Sequence, residues 1–250
     1  MNFNWAYFWG QLLTPSNFFL VGLGLTVTMA VSAEIIGVIL GLVIAQIRLS
    51  RYRVLRGFAA FYLWVFRGTP LLVQIVFIYT GLAAAGLMRF HDVVIGGITI
   101  PGNLQAGVLA LGLHEAAYMA EIFRAGILAV DKGQFEAAKA LGMPPLMMMR
   151  RVVWPQALRV VVLPIGSQFN ILLKNTTLVS IIGVPEMLLV TETINSSSFR
   201  TFELYAVLGI YFLILTSAWT LFMEWAERRL KPGDKAKSLN VRPIEAEAES

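Results

Sequence analysis

The stretch from Asp131 to Pro155, DKGQFEAAKALGMPPLMMMRRVVWP, decides how the rest of the chain reads, because it is a charged, ordered interruption in a lipid-like sequence. Asp131 and Gln134 stand in the N-cap and N3 relation that satisfies free helix N–H groups, and the residues from Gln134 to Leu141 are mostly good helix formers. Gly142 offers a left-handed stop, and Pro144 and Pro145 forbid continuation. Ala137, Ala138 and Ala140 give that short helix almost no side-chain bulk, so the groove of another protein could approach it closely. The pattern predicts a knob rather than a catalytic loop.

Outward from this stretch the chain is apolar. Of 250 residues, 57% are hydrophobic and 14% charged, well beyond the balance of a soluble domain. Long apolar runs consume most of the length, which predicts an all-α integral membrane protein with no sizeable extramembrane domain. There is no cysteine, hence no disulfide framework or thiolate site. The net charge of +5 is explained by basic residues at membrane boundaries, so nucleic acid is not expected as a partner.

Five spans are expected. Residues 1–17 are uncharged and carry Trp5, Tyr7 and Trp9, which suits an aromatic segment at the outer interface, and no basic n-region marks a cleavable signal peptide. Residues 18–230 form the membrane domain, with spans over 18–47, 58 to about 87, 104–130, 156 to about 173, and 204 to about 226. The second is interrupted by Arg67 and Pro70. The fourth is followed by KNTTLVSIIGVPE, apolar yet rich in hydroxyls, which reads as a broken or re-entrant piece buried in protein. The tail, residues 231–250, is polar and reads as disordered. With the N-terminus outside and the C-terminus in the cytoplasm, fourteen Lys and Arg residues fall inside and two, Arg89 and Arg200, outside. That count puts 48–56 and 131–155 in the cytoplasm.

The resemblance rests on four ordered segments. Glu136-Ala137-Ala138, Gly142 at the fourth position after Ala138, and Val152 to Pro155 are similar to the EAA loop of permease subunits of bacterial ABC importers, with Trp154 where Leu is usual. Arg67 to Gln74 (RGTPLLVQ), Ala117 to Arg124 (AYMAEIFR) and Leu173 to Ser180 (LKNTTLVS) resemble segments of the polar amino-acid branch of that family. The resemblance implies type I importer architecture and import of a polar amino acid by alternating access. It implies Glu136, Ala137, Ala138, Leu141, Gly142 and Pro155 as the ATPase-coupling residues of a cytoplasmic coupling helix. It further implies a second permease subunit, two cytoplasmic ATP-binding subunits that hold ATP and Mg, and an extracytoplasmic solute-binding protein, in the inner membrane.

The residues themselves agree on what is missing. No GxxxxGK[ST] loop occurs, so ATP chemistry would belong to another polypeptide, and no nucleophile elbow or HExxH cluster suggests an enzyme or a metal site. Ionisable residues inside the spans are costly unless paired or facing a polar cavity. Glu34, on the same helical side as Gly37 and Gly41, and His114 and Glu115, near the middle of the third span, are candidates for the substrate path. Lys174, Asn175, Thr176 and Thr177 are further candidates, because a zwitterion needs partners of both signs. Glu121 and Arg124, one turn apart, are expected to pair with each other or to bridge to Arg67 as structural or gating ion pairs. The runner-up function is an ion-gradient-driven secondary amino-acid transporter, which two related halves would favour; five spans do not divide so.

Overall fold

The computed structural model describes residues 3–230, and the expected cytoplasmic tail lies outside the described residues. The N-terminal helix α1 (Trp5–Leu13) is capped by the Asn4 side chain, which accepts from the Tyr7 N–H. The 32-residue α2 (Asn17–Arg48) begins where the Ser16 hydroxyl accepts from the Phe19 N–H. After a short elbow the chain returns as α3 (Arg53–Gly68).

The expected second span is broken rather than merely interrupted. Helix α3 and the run of α4 (Leu71–Val76), a wide π turn (Phe77–Gly81) and α5 (Leu82–Ala84) meet at 108°. Pro70 has no N–H and pushes Thr69 into extended backbone (φ −116°, ψ 148°), which ends α3. A small antiparallel hairpin follows, β1 (Val93–Ile95) with β2 (Ile98–Ile100), turning at Gly96 and Gly97, both at positive φ.

Helix α6 (Gly102–Leu128) is the centre of the molecule. It lies along α2 on a seam of small residues. A methyl group added at Gly37 would sit 2.7 Å from Glu115 Cγ, one at Gly112 would sit 2.7 Å from Ile36 Cγ2, and Gly41 abuts Met119. The close approach that the glycines of α2 predict is therefore made, and α6 is the helix that makes it. The core beside this seam joins Met29 and Ala33 of α2, Ile75 of α4, and Ala110 and Leu111 of α6.

Beyond α6 come α7 (Lys132–Ala140), the single turn α8 (Pro145–Met148) and a π turn (Met149–Val153), which leads into α9 (Trp154–Asn175). The KNTTLVSIIGVPE segment, expected to be broken or re-entrant, first continues α9 as a tighter 3-10 coil over Thr176–Ile182 and then leaves the helix before its end. The stop comes at Gly183, φ 79°. Hydroxyls make this possible: Thr176, Thr177 and Ser180 each donate to the carbonyl three residues earlier. Then follow α10 (Met187–Ser198) and α11 (Thr201–Leu230). Helix α2, the run Pro145–Ile182 and α11 are each long and apolar enough to cross a membrane, and the bent α3–α5 pair passes together. Helix α6, at 27 residues, has the length but a more polar composition.

Candidate functional site

Two carboxylates face each other across the α2–α6 seam. Glu115 is fully buried, its side chain pressed against Gly37, one turn beyond Glu34. Gln168 of α9 approaches from a third side, its Nε2 donating to Glu115 Oε2 at 3.5 Å. Both oxygens of Glu34 and Oε1 of Glu115 are buried without a hydrogen-bond partner, and among the described residues neither acid has a salt bridge. Buried anions of this kind demand protons or a cation.

His114, next in the chain, turns to a different neighbour. Its Nδ1 lies 3.0 Å from Gln74 Oε1. Gln74 spends its amide nitrogen on the broken end of α3, donating to Phe66 O, Thr69 O and Thr69 Oγ1. Its oxygen is thus the acceptor, and His114 Nδ1 carries the proton. The pair satisfies carbonyls that the Pro70 break exposes and ties that break to α6.

Lys174 does not join the carboxylates. It is exposed and lines a separate cavity of about 490 Å³ with Asn170 of α9 and Thr216, Ser217 and Thr220 of α11. Thr176 and Thr177 have their hydroxyls bonded to the Leu173 and Lys174 carbonyls of α9, and Asn175 is half-buried at the end of that helix. One pocket holding both signs, as a zwitterion would need, is therefore not formed by these residues within this chain. Glu121 and Arg124 pair with each other, Nη2 and Nε donating to one carboxylate oxygen at 2.7 and 3.0 Å. Arg67 stays out of that pair; its guanidinium stands 5.6 Å from the centre of the Tyr118 ring. Gln74, Gln168 and Tyr118 are the residues that sequence reasoning missed. Neutral amides and a tyrosine carry no signal of cost inside an apolar run, and only the fold gives them partners.

The 131–155 stretch forms the second site. Asp131 caps α7 by accepting from the Gly133 N–H at 2.7 Å, and Gly142 makes the left-handed stop at φ 70°. Gln134 does not complete the reciprocal cap; its Oε1 accepts from Gln156 Nε2 at 3.3 Å, linking α7 to the first turn of α9. Ala138 is buried among Ile127, Val130, Met148, Val153 and Ala157, so it seats α7 on its own chain. The outward side presents Glu136, Ala137 and the almost fully exposed Leu141 and Leu146. Pro155 is exposed in the first turn of α9, directly after the π turn at Met149–Val153.

Residues 37–232 match the family model described as "Binding-protein-dependent transport system inner membrane component". The chain is similar to an arginine transport system permease protein, ArgU, of Corynebacterium glutamicum, at 36% identity over 90% of this chain and 72% of that one. It is equally similar, at 36% over 87% of this chain and 94% of that one, to an arginine transport system permease protein, ArtQ, of Bacillus subtilis. A crystal structure of an amino acid ABC transporter with histidines superposes with a TM-score of 0.79 at 36% identity, over 92% of this chain and 100% of that chain. The chain belongs to the family of binding-protein-dependent inner-membrane transport components. It is a permease subunit of an ABC importer and not an enzyme, it brings no cofactor of its own, and its partners include an ATPase and a binding protein. The ion-gradient alternative is set aside by this membership.

Proposed function

We propose that this chain carries a cationic amino acid, held during passage at Glu34 and Glu115. The observation that carries the reading is the pair of carboxylates on the α2–α6 seam with three buried, unpartnered oxygens and, among the described residues, no salt bridge to either acid. A guanidinium or ammonium group would offset one of the two charges and donate to oxygens of both acids, the second acid keeping a proton, while an acidic solute would be repelled. The two arginine permeases among its relatives support the same sign of charge. Five spans with the N-terminus outside, a second permease copy or paralogue, and two cytoplasmic subunits that hold ATP and Mg complete the proposed assembly. In it α7 seats through Glu136, Ala137 and Leu141 on an ATPase groove. Its motion enters α6 and α9, between which it is spliced.

The test is competition for uptake into vesicles bearing the reconstituted assembly. Arginine should outcompete aspartate by more than about tenfold, the worth of ~1.4 kcal/mol, and Glu115→Gln should reduce that margin while leaving subunit assembly intact. Equal uptake of arginine and aspartate by the unaltered protein would refute a carboxylate-lined path. Lys174→Gln, on the other cavity, should leave the selectivity unchanged.

A further inference from the structure

We infer that the elbow between α2 and α3 is a binding site for an anionic phospholipid. Arg48, Arg51, Arg53 and Arg56 fall within nine residues there, and the chain holds no acidic residue between Glu34 and Asp92. Among the described residues no carboxylate lies within salt-bridge distance of any of the four. The elbow is nonetheless shaped rather than splayed. Arg51 Nη2 donates to the Tyr52 hydroxyl at 2.9 Å, Arg56 Nη1 donates to Ser50 O at 3.3 Å, and the Tyr52 N–H donates to Ser50 Oγ.

An apolar stripe begins on the same turn. Val54, Phe58, Phe61 and Trp64 follow one another at helical spacing along α3 and are 60–84% exposed, whereas Ala59 and Leu63, on the opposite face, are buried against the rest of the molecule. Cations at the start and aromatics along the length match the two parts of a phospholipid: phosphate at the arginines, acyl chains along the stripe. A cationic first turn is disfavoured by the helix dipole, and an anion in front of it reverses that cost. A second copy of this chain is a poorer occupant, because a two-fold contact here would set four arginines against four.

This inference rests on the chain being a membrane permease and is independent of which solute it carries. The assembly of permease and ATPase is purified into detergent, offered phosphatidylglycerol or phosphatidylcholine, and weighed intact by native mass spectrometry. The unaltered protein should retain phosphatidylglycerol selectively. Arg51→Gln/Arg53→Gln should weaken that retention by about twentyfold or more, at about fivefold for each arginine, and Arg51→Lys/Arg53→Lys should keep most of it. Retention unaffected by the glutamine pair would overturn the site. Loss of the ATPase subunit from the glutamine variant in lipid-free detergent would also overturn it, by showing that the arginines face protein. Phe58→Ala/Trp64→Ala should lower retention with every arginine in place, a readout that a loss of charge or of orientation does not reach.

Discussion

Glu34 and Glu115 stood out in the sequence because a charge inside an apolar run has a cost that composition alone exposes. The amides did not: Gln168, which reaches Glu115, and Gln74, which holds His114, acquire meaning only when α9 arrives and α3 breaks. Lys174 shows the converse: it is as conspicuous as Glu115 in the sequence, yet it opens on a different cavity. At Gly37 the consequence is direct. Gly37→Val would drive new atoms into Glu115, so thermal unfolding in detergent should show a loss of about 1–3 kcal/mol, together with impaired solute transport. Phe199 offers the opposite change. It ends α10 in the left-handed region, φ 53°, with its N–H donating to Asn195 O, a position that suits glycine. Phe199→Gly should stabilise the protein by about 0.5–1 kcal/mol, the left-handed penalty less the entropy that glycine adds to the unfolded chain. The same melting experiment reads both.

Among the elements, α7 was the most legible, because its cap, its alanines and its stop are local signals that need no tertiary contact. What the alanines do was not local. Ala138 points into its own chain and Ala137 points out, a difference set by the π turn at Met149–Val153 and the packing of Val153, neither of which leaves a sequence mark. The two positions therefore separate two effects. Ala138→Trp should unseat α7 from α6 and α9 and lower stability by about 1–3 kcal/mol. Ala137→Trp should leave stability unchanged and abolish binding of the ATPase subunit, measured by copurification; intact binding in that variant would remove α7 as the contact. The break in α3–α5 was half legible. Pro70 marks it, while neither the 108° angle nor the Gln74–His114 contact that ties the break to α6 is written in the local sequence.

For the whole molecule, charge asymmetry carries the orientation, and the chain's lack of cysteine makes it testable. Thr99 on the exposed hairpin and Lys139 on α7 tolerate a label, whereas Gly102 abuts the Phe90 carbonyl and a Cβ at Gly133 would crowd the Asp131 cap at 2.8 Å. Thr99→Cys should react with an impermeant maleimide added to intact cells and Lys139→Cys should react only after lysis; the reverse pattern would invert the proposed topology. Helix α6 sets the scale on which such a molecule moves. It spans 27 residues, about 40 Å at about 1.5 Å per residue, and its glycine seam with α2 leaves no slack in which a small push could dissipate. Helices so joined behave as one lever, so a tilt of about ten degrees begun at the α7 end arrives at the far end as a sweep of about 7 Å. An amino acid is about that wide, and a nudge at one face of the bilayer becomes a doorway at the other.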